Sequence, residues 1–185
     1  DSFMETGTLQ QRGYWTRPDS KTRLFKLFVN DDTVAELDMT GKSLNQVSLR
    51  LNGQQWTFTK IGCFNCKIVL KEDKSGREFA TFIPDAWGNG RLQLADGSVF
   101  KWKPVSVWRT TRVIVNQHNL KVLEFDKPDR KNQPERADTR LIVKHADDSL
   151  NGIKCLLMSA LGMYLFALQD DEMDVDSVSL LAAIM

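Results

Sequence analysis

The chain has 185 residues, of which 42% are hydrophobic and 26% are charged, and its formal net charge is +1. This composition is that of an ordinary globular protein and excludes an intrinsically disordered chain. The length is close to that expected for one domain and is sufficient for a sizeable hydrophobic core.

The first residues contain no basic stretch followed by an apolar run, so no secretory signal is visible, and residues 1–12 are predicted to be a frayed N-terminus. Three cysteines make an odd count without regular spacing, which is typical of reduced thiols. We therefore expect a cytoplasmic protein, with peripheral membrane binding as an option.

Short alternating segments dominate the chain from Gly13 to about Lys144. Residues 47–51 alternate apolar and polar side chains up to Asn52–Gly53, a dipeptide typical of two-residue hairpin turns, and the alternation resumes at Trp56. This pattern predicts a β-hairpin.

The same pattern returns at Leu92 and Leu94, with a turn at Asp96–Gly97 and a second alternating segment over residues 100–103. About a dozen short strands are predicted in all. The further strand candidates are residues 14–17, 23–29, 34–39, 67–71, 78–83, 105–109, 112–115, 120–125 and 139–144.

Three connections are predicted from their turn residues. Residues 71–76 form a hairpin loop, residues 84–90 form a longer turn, and residues 126–138, with two prolines and many charges, form an exposed loop.

The segment from Cys155 to Leu168 is apolar at nearly every position, so as a helix it has no polar face. Crossing a bilayer takes about 20 apolar residues, and shorter runs are more often buried core helices. A core helix over residues 150–169 is therefore favoured, with a membrane anchor as the alternative. We expect the helix to end near Gln169, because the acidic run that follows is unfavourable at the negative pole of a helix. Residues 170–185 then form an acidic and later apolar tail.

Strands with one apolar face and a helix that needs cover on every side suggest a single architecture. We predict a mainly β domain over residues 13–169, in which roughly twelve antiparallel strands form a barrel around the buried C-terminal helix.

The order of the strands, the hairpin at Leu92–Gly97 and the terminal helix at Leu156–Leu168 resemble the tubby C-terminal-like superfamily. That group includes tubby-like proteins, phospholipid scramblases and LURP-one-related proteins. The resemblance covers residues 13–169 and implies a twelve-stranded barrel threaded by an apolar helix, together with a role in membrane-lipid or regulatory binding. The tail after the helix departs from the tubby-like pattern, and the palmitoylated cysteine cluster and the proline-rich N-terminal segment of scramblases are not seen.

Basic residues are concentrated between Asp96 and Glu124, where no acidic residue occurs. On the predicted alternation, Phe100 and Trp102 point inward and the lysines of the same strand point outward. Such a basic outer face can attract anionic phospholipid head groups, although ordinary solubilising charges would look the same. Nucleic acid is not favoured, because the total charge is balanced and no recognition motif is present. The candidate head-group ligands are Lys101, Lys103, Arg109, Arg112 and Lys121.

No catalytic residue, metal site or cofactor is predicted. Cys63 and Cys66 have the spacing of some zinc sites but lack a second pair of ligands. The sequence thus favours a non-enzymatic module for anionic head groups. One alternative is a protein-interaction module whose tail mediates homodimerisation, and another is an uncharacterised hydrolase with His118 or His145 as its base.

Overall fold

The computed structural model describes most of the chain, with side chains placed along the helix as far as Gln169. The described residues are 12–19, 21–62, 65–86, 88–105, 111–127, 139–143 and 152–184.

Twelve strands and one helix make up the described fold. They are β1 Arg12–Thr16, β2 Leu24–Val29, β3 Asp32–Asp38, β4 Gln46–Leu51, β5 Gln54–Ile61, β6 Lys67–Glu72, β7 Glu78–Pro84, β8 Gly90–Leu94, β9 Val99–Pro104, β10 Thr111–Val115, β11 Lys121–Asp126, β12 Thr139–Val143 and α1 Gly152–Ile184.

Each strand pairs antiparallel with the next strand along the chain, and β1 also pairs with β12. The sheet is therefore a closed barrel. The alternation of apolar and polar residues predicted the barrel, and the pairing of β1 with β12 closes it. The hairpin predicted at Asn52–Gly53 is confirmed, because Leu51 pairs with Gln54 and both turn residues have positive φ, 49° and 75°.

The apolar part of α1 fills the barrel. Residues 157–164 are buried without exception. Near its start, Lys154 Nζ lies 2.5 Å from Asp96 Oδ2 in the β8–β9 turn. We call the opposite end of the barrel, where Gln169 lies beside Arg112, the exit end.

Two buried hydrogen bonds set the rotation of the helix inside the barrel. The Trp15 indole donates to Ser159 Oγ at 3.1 Å, and the Tyr164 hydroxyl donates to the carbonyl of Leu44. A polar atom on a buried helix face needs such a partner, because an unsatisfied group in the core costs about 1–3 kcal/mol.

The stretch Gly152–Gln169 is long and apolar enough to cross a membrane by length and composition, and half of it is buried inside the barrel. The fold thus explains its composition without a bilayer.

Several predicted boundaries were wrong. The helix does not end near Gln169 but continues to Ile184, and β1 begins one residue before Gly13. Neither glycine nor proline follows Gly162, so nothing in the backbone chemistry stops the helix. Val105 lies outside any strand, and the rest of the predicted strand 105–109 lies outside the described residues, as does most of the predicted loop 126–138.

Candidate anion-binding surface

The two lysines predicted to point outward from β9 do so. Phe100 and Trp102 are buried in the core, whereas Lys101 is exposed and Lys103 is partly exposed. Lys121, at the start of β11, is also exposed.

Arg112 was predicted to belong to the same outer face, and that prediction is wrong. Its register partner on β11 is Phe125, a core residue, so Arg112 faces the barrel interior at the exit end. Its guanidinium lies 6.0 Å from the Trp102 ring centroid and donates to Asn89 Oδ1 at 2.8 Å. Burial lowers the pKa of Arg112, and the charge of Asp85 partly opposes this shift.

Lys103 has no acidic residue near it in the sequence, but it has one near it in space. Its ammonium donates to Asn119 Oδ1 at 2.7 Å. Val113 pairs with Lys103 on one side and with Glu124 on the other, so a carboxylate lies two strands away on the same face. Arg109, the fifth predicted residue, lies outside the described residues.

Three cations and two isoleucines form a continuous row across the strands β5–β9. Ile61 pairs with Lys67, Ile83 pairs with Arg91, and Arg91 pairs with Lys101. Lys67 and Ile83 lie one residue beyond the pair Ile68 and Phe82, which brings the two sets together. We call Ile61, Lys67, Ile83, Arg91 and Lys101 the outer row. With neighbouring strands about 4.8 Å apart, the outer row is about 19 Å long.

The outer row places two isoleucines and three cations on the solvent-exposed face, and each isoleucine has a cation as its neighbour on the next strand. Ile61 and Ile83 are 47% and 42% exposed, and Lys67, Arg91 and Lys101 are all exposed. Arg91 and Lys101 face each other directly, an arrangement of like charges that destabilises a sheet. The fold therefore tolerates an unfavourable pair at this position.

Sequence reasoning missed Lys67 and Arg91. The position of Arg91 could have been inferred from the sequence, because the register of the hairpin around Asp96–Gly97 places Arg91 directly opposite Lys101. Lys67 had no comparable signal, since its place beside Ile83 depends on the pairing of β6 with β7.

A second polar feature is an open cavity of about 720 Å³ at the exit end. It lies between the start of β2, the β3–β4 connection, the end of β5 and the helix. We call it the exit pocket. The described residues that line it are Lys21, Thr22, Arg23, Met39, Thr40, Gly41, Lys42, Ser43, Leu44, Asn45, Lys60 and Leu168.

Backbone hydrogen bonds hold the walls of the exit pocket. Met39 N donates to the Arg23 carbonyl at 2.9 Å, and Lys60 N donates to the Asn45 carbonyl at 2.7 Å. The bond from Tyr164 to the Leu44 carbonyl joins the same wall to the helix. These bonds give the β3–β4 connection a defined shape.

The described residues offer little for catalysis or metal binding. No group of three or more His, Cys, Asp or Glu side chains among them is arranged to hold a metal ion. His118 is exposed in the β10–β11 turn and does not line the exit pocket, while His145 and Cys63 lie outside the described residues.

Comparisons of the chain with protein-family models, with curated proteins and with solved structures gave no match.

Proposed function

We propose that this protein is a non-enzymatic binding module that docks on anionic phospholipid surfaces through the outer row. The observation that carries the proposal is the placement of exposed isoleucines directly beside exposed cations on neighbouring strands. Both kinds of side chain interact favourably with a membrane interface, because cations contact lipid phosphates and apolar groups insert at the boundary between head groups and acyl chains.

The expected affinity is modest. Each cation near an anionic surface contributes about 1 kcal/mol, so Lys67, Arg91 and Lys101 together supply about 3 kcal/mol. Burial of the two half-exposed isoleucines adds about 1 kcal/mol each. A total of about 5 kcal/mol corresponds to a dissociation constant on the order of 0.1 mM, which is typical of reversible peripheral binding.

The resemblance to the tubby C-terminal-like superfamily is a second support, because that group includes phospholipid scramblases. The proposal moves the head-group contacts from the predicted set to the outer row. Lys101 is common to both sets, and Arg112 is not part of the proposed surface.

Vesicle flotation tests this function. Wild-type protein is expected to float with phosphatidylcholine vesicles that contain phosphatidylserine, and to remain in solution with phosphatidylcholine alone. Binding should weaken in high salt, because the surface charges are screened over about 10 Å at 0.1 M ionic strength.

The charge reversal R91E/K101E should abolish flotation. The matched control is K74E/R77E, which changes the net charge equally in the exposed β6–β7 turn, at the other end of the strands that carry Lys67 and Ile83. If both variants lose vesicle binding equally, the loss is due to the change in net charge and not to the outer row. If R91E/K101E binds vesicles as wild type does, the outer row is not the membrane-binding surface.

A further inference from the structure

The outer row continues beyond β9. Lys101 pairs with Val115 on β10, and Val115 pairs in turn with Lys121 at the start of β11. We call the outer row together with Val115 and Lys121 the extended row. It crosses the seven neighbouring strands β5–β11 and carries one cation on each of β6, β8, β9 and β11. These four cations are Lys67, Arg91, Lys101 and Lys121.

The four cations of the extended row are available to an external anion. All four are exposed, and in the described part of the chain no carboxylate forms an ion pair with any of them. Elsewhere on the barrel surface a carboxylate does lie among cations, since Glu36 is 3.6 Å from Lys26 Nζ and 3.8 Å from Arg50 Nη1. Arg91 and Lys101 instead oppose each other as like charges, and an anion placed between them would relieve their repulsion.

The cations lie along one line and do not form a broad cluster. The next row of outward-facing residues, two positions away along each strand, carries no charge. On the other side of the line, Lys103 and Glu124 flank Val113 and bring charges of opposite sign. An anionic ligand therefore meets cations only along the extended row. The uncharged row is Thr59, Val69, Thr81, Gln93 and Val99.

The spacing of the cations separates most of them from one another. With strands about 4.8 Å apart, Lys67 lies about 10 Å from Arg91 along the row, and Lys101 lies about 10 Å from Lys121. The strands belong to a closed barrel, so their outward side chains point away from a common axis and diverge. The four cations therefore do not converge on one point, as they would in a concave site.

This arrangement defines the class of lipid that fits the surface. A multiply phosphorylated head group concentrates its charge in one small molecule and favours cations that converge on it. Lipids with one net negative charge, such as phosphatidylserine, instead spread their charge over the plane of the membrane. We propose that the extended row binds several singly charged phospholipid head groups side by side and does not recognise one multiply phosphorylated head group. This inference rests on the proposed membrane-binding function and names its ligand.

Vesicle titration at increasing phosphatidylserine content tests the inference. Because at least three head groups are recruited by mass action, doubling the phosphatidylserine content should raise the association constant about eightfold or more, whereas one head group would give about twofold. Vesicles that contain phosphatidylinositol bisphosphate at the same total charge should bind the protein no more tightly. Soluble inositol trisphosphate should not release the protein from phosphatidylserine vesicles.

Lys121→Ala tests whether the row extends to β11. Loss of one cation near an anionic surface should weaken binding to phosphatidylserine vesicles about fivefold. The matched control is K74A, which removes an exposed lysine in the β6–β7 turn and should bind as wild type does. Unchanged binding by K121A, or equal weakening in K74A, would overturn the extension of the row to Lys121.

The outcomes separate this inference from the proposed function. Binding that rises only in proportion to phosphatidylserine content, or release by inositol trisphosphate, would overturn the side-by-side arrangement while membrane binding itself stands. Wild-type protein that does not bind phosphatidylserine vesicles at all would overturn the proposed function together with this inference.

Discussion

Gly162 is a position at which the helix and the barrel approach closely, and Gly162→Ala tests this packing. A Cβ atom built on Gly162 would lie 2.4 Å from Phe125 Cζ and 2.6 Å from Cε1. Phe125 is fully buried, with its ring centroid 5.3 Å from that of Trp102 and 6.1 Å from that of Phe166. These aromatic neighbours limit how far the Phe125 ring can move away from a methyl group at position 162.

Two effects of opposite sign decide the outcome. Alanine stabilises a helix interior by about 1 kcal/mol relative to glycine. Overpacking of a well-packed core costs about 1–3 kcal/mol, and the upper part of this range applies because the contact is with an aromatic ring and not with a flexible chain end. We expect G162A to lower the free energy of unfolding by about 1–2 kcal/mol, which corresponds to a fall in melting temperature of roughly 2–8 °C.

Urea unfolding followed by circular dichroism measures this difference. Gly152→Ala is the matched control, because a Cβ atom at Gly152 meets nothing within 4 Å, and it should leave the stability unchanged or raise it slightly. The double variant F125L/G162A should be less destabilised than the sum of its single variants, since the smaller side chain leaves room for the new methyl group. A G162A protein as stable as wild type would refute the close packing of Gly162 against Phe125.

Three other predictions concern the helix and its surroundings in the barrel. Tyr164→Phe removes the donor to the buried Leu44 carbonyl and should lower the free energy of unfolding, measured in urea, by about 1–2 kcal/mol. A loss no larger than that caused by a substitution at an exposed position would contradict the hydrogen bond. Hydrogen bonds, above all from Lys154, lower the pKa of Asp96. The ionised Asp96 side chain therefore stabilises the folded protein at pH values above the ordinary carboxyl pKa of about 4, and this stabilisation is lost as the pH falls through the lowered pKa. Because the Lys154–Asp96 pair lies at the surface, D96N should lower the free energy of unfolding by less than about 1 kcal/mol at neutral pH. The difference in stability between D96N and wild type should become smaller in acid. A difference in stability that grows in acid would contradict the lowered pKa of Asp96. Burial raises the pKa of Cys155 to about 11, so iodoacetamide should modify this thiol rapidly only in denaturant, as followed by mass spectrometry, and rapid modification of the folded protein would contradict its burial.

The barrel could be predicted because its signal is local. Alternation with period two, as in residues 47–51, places every second side chain on one face whatever the partner strand is. A helix without a polar face, as in residues 157–164, then requires an enclosure, and a closed sheet provides it.

The end of the helix could not be predicted in the same way. The acidic residues after Gln169 were expected to stop it, but the macrodipole contributes less than about 1 kcal/mol at an exposed site, while each residue of good helix propensity favours continuation. Weak local terms of opposite sign do not decide a boundary.

The candidate site could be predicted only in part. Lys101 and Lys103 followed from the alternation within β9, whereas Arg112 was assigned to the wrong face because the phase of β10 depends on its pairing with Phe125. The exit pocket had no sequence signal, since Lys21, Lys42 and Lys60 are far apart along the chain.

The sequence by itself determined the kind of element and the inward face of most strands, because these depend on side chains within one segment. The tertiary structure alone decided the closure of β1 on β12, the outer row and the exit pocket. Each of these depends on the register between strands or on the meeting of distant loops, and register is set by all the pairings of a closed sheet together.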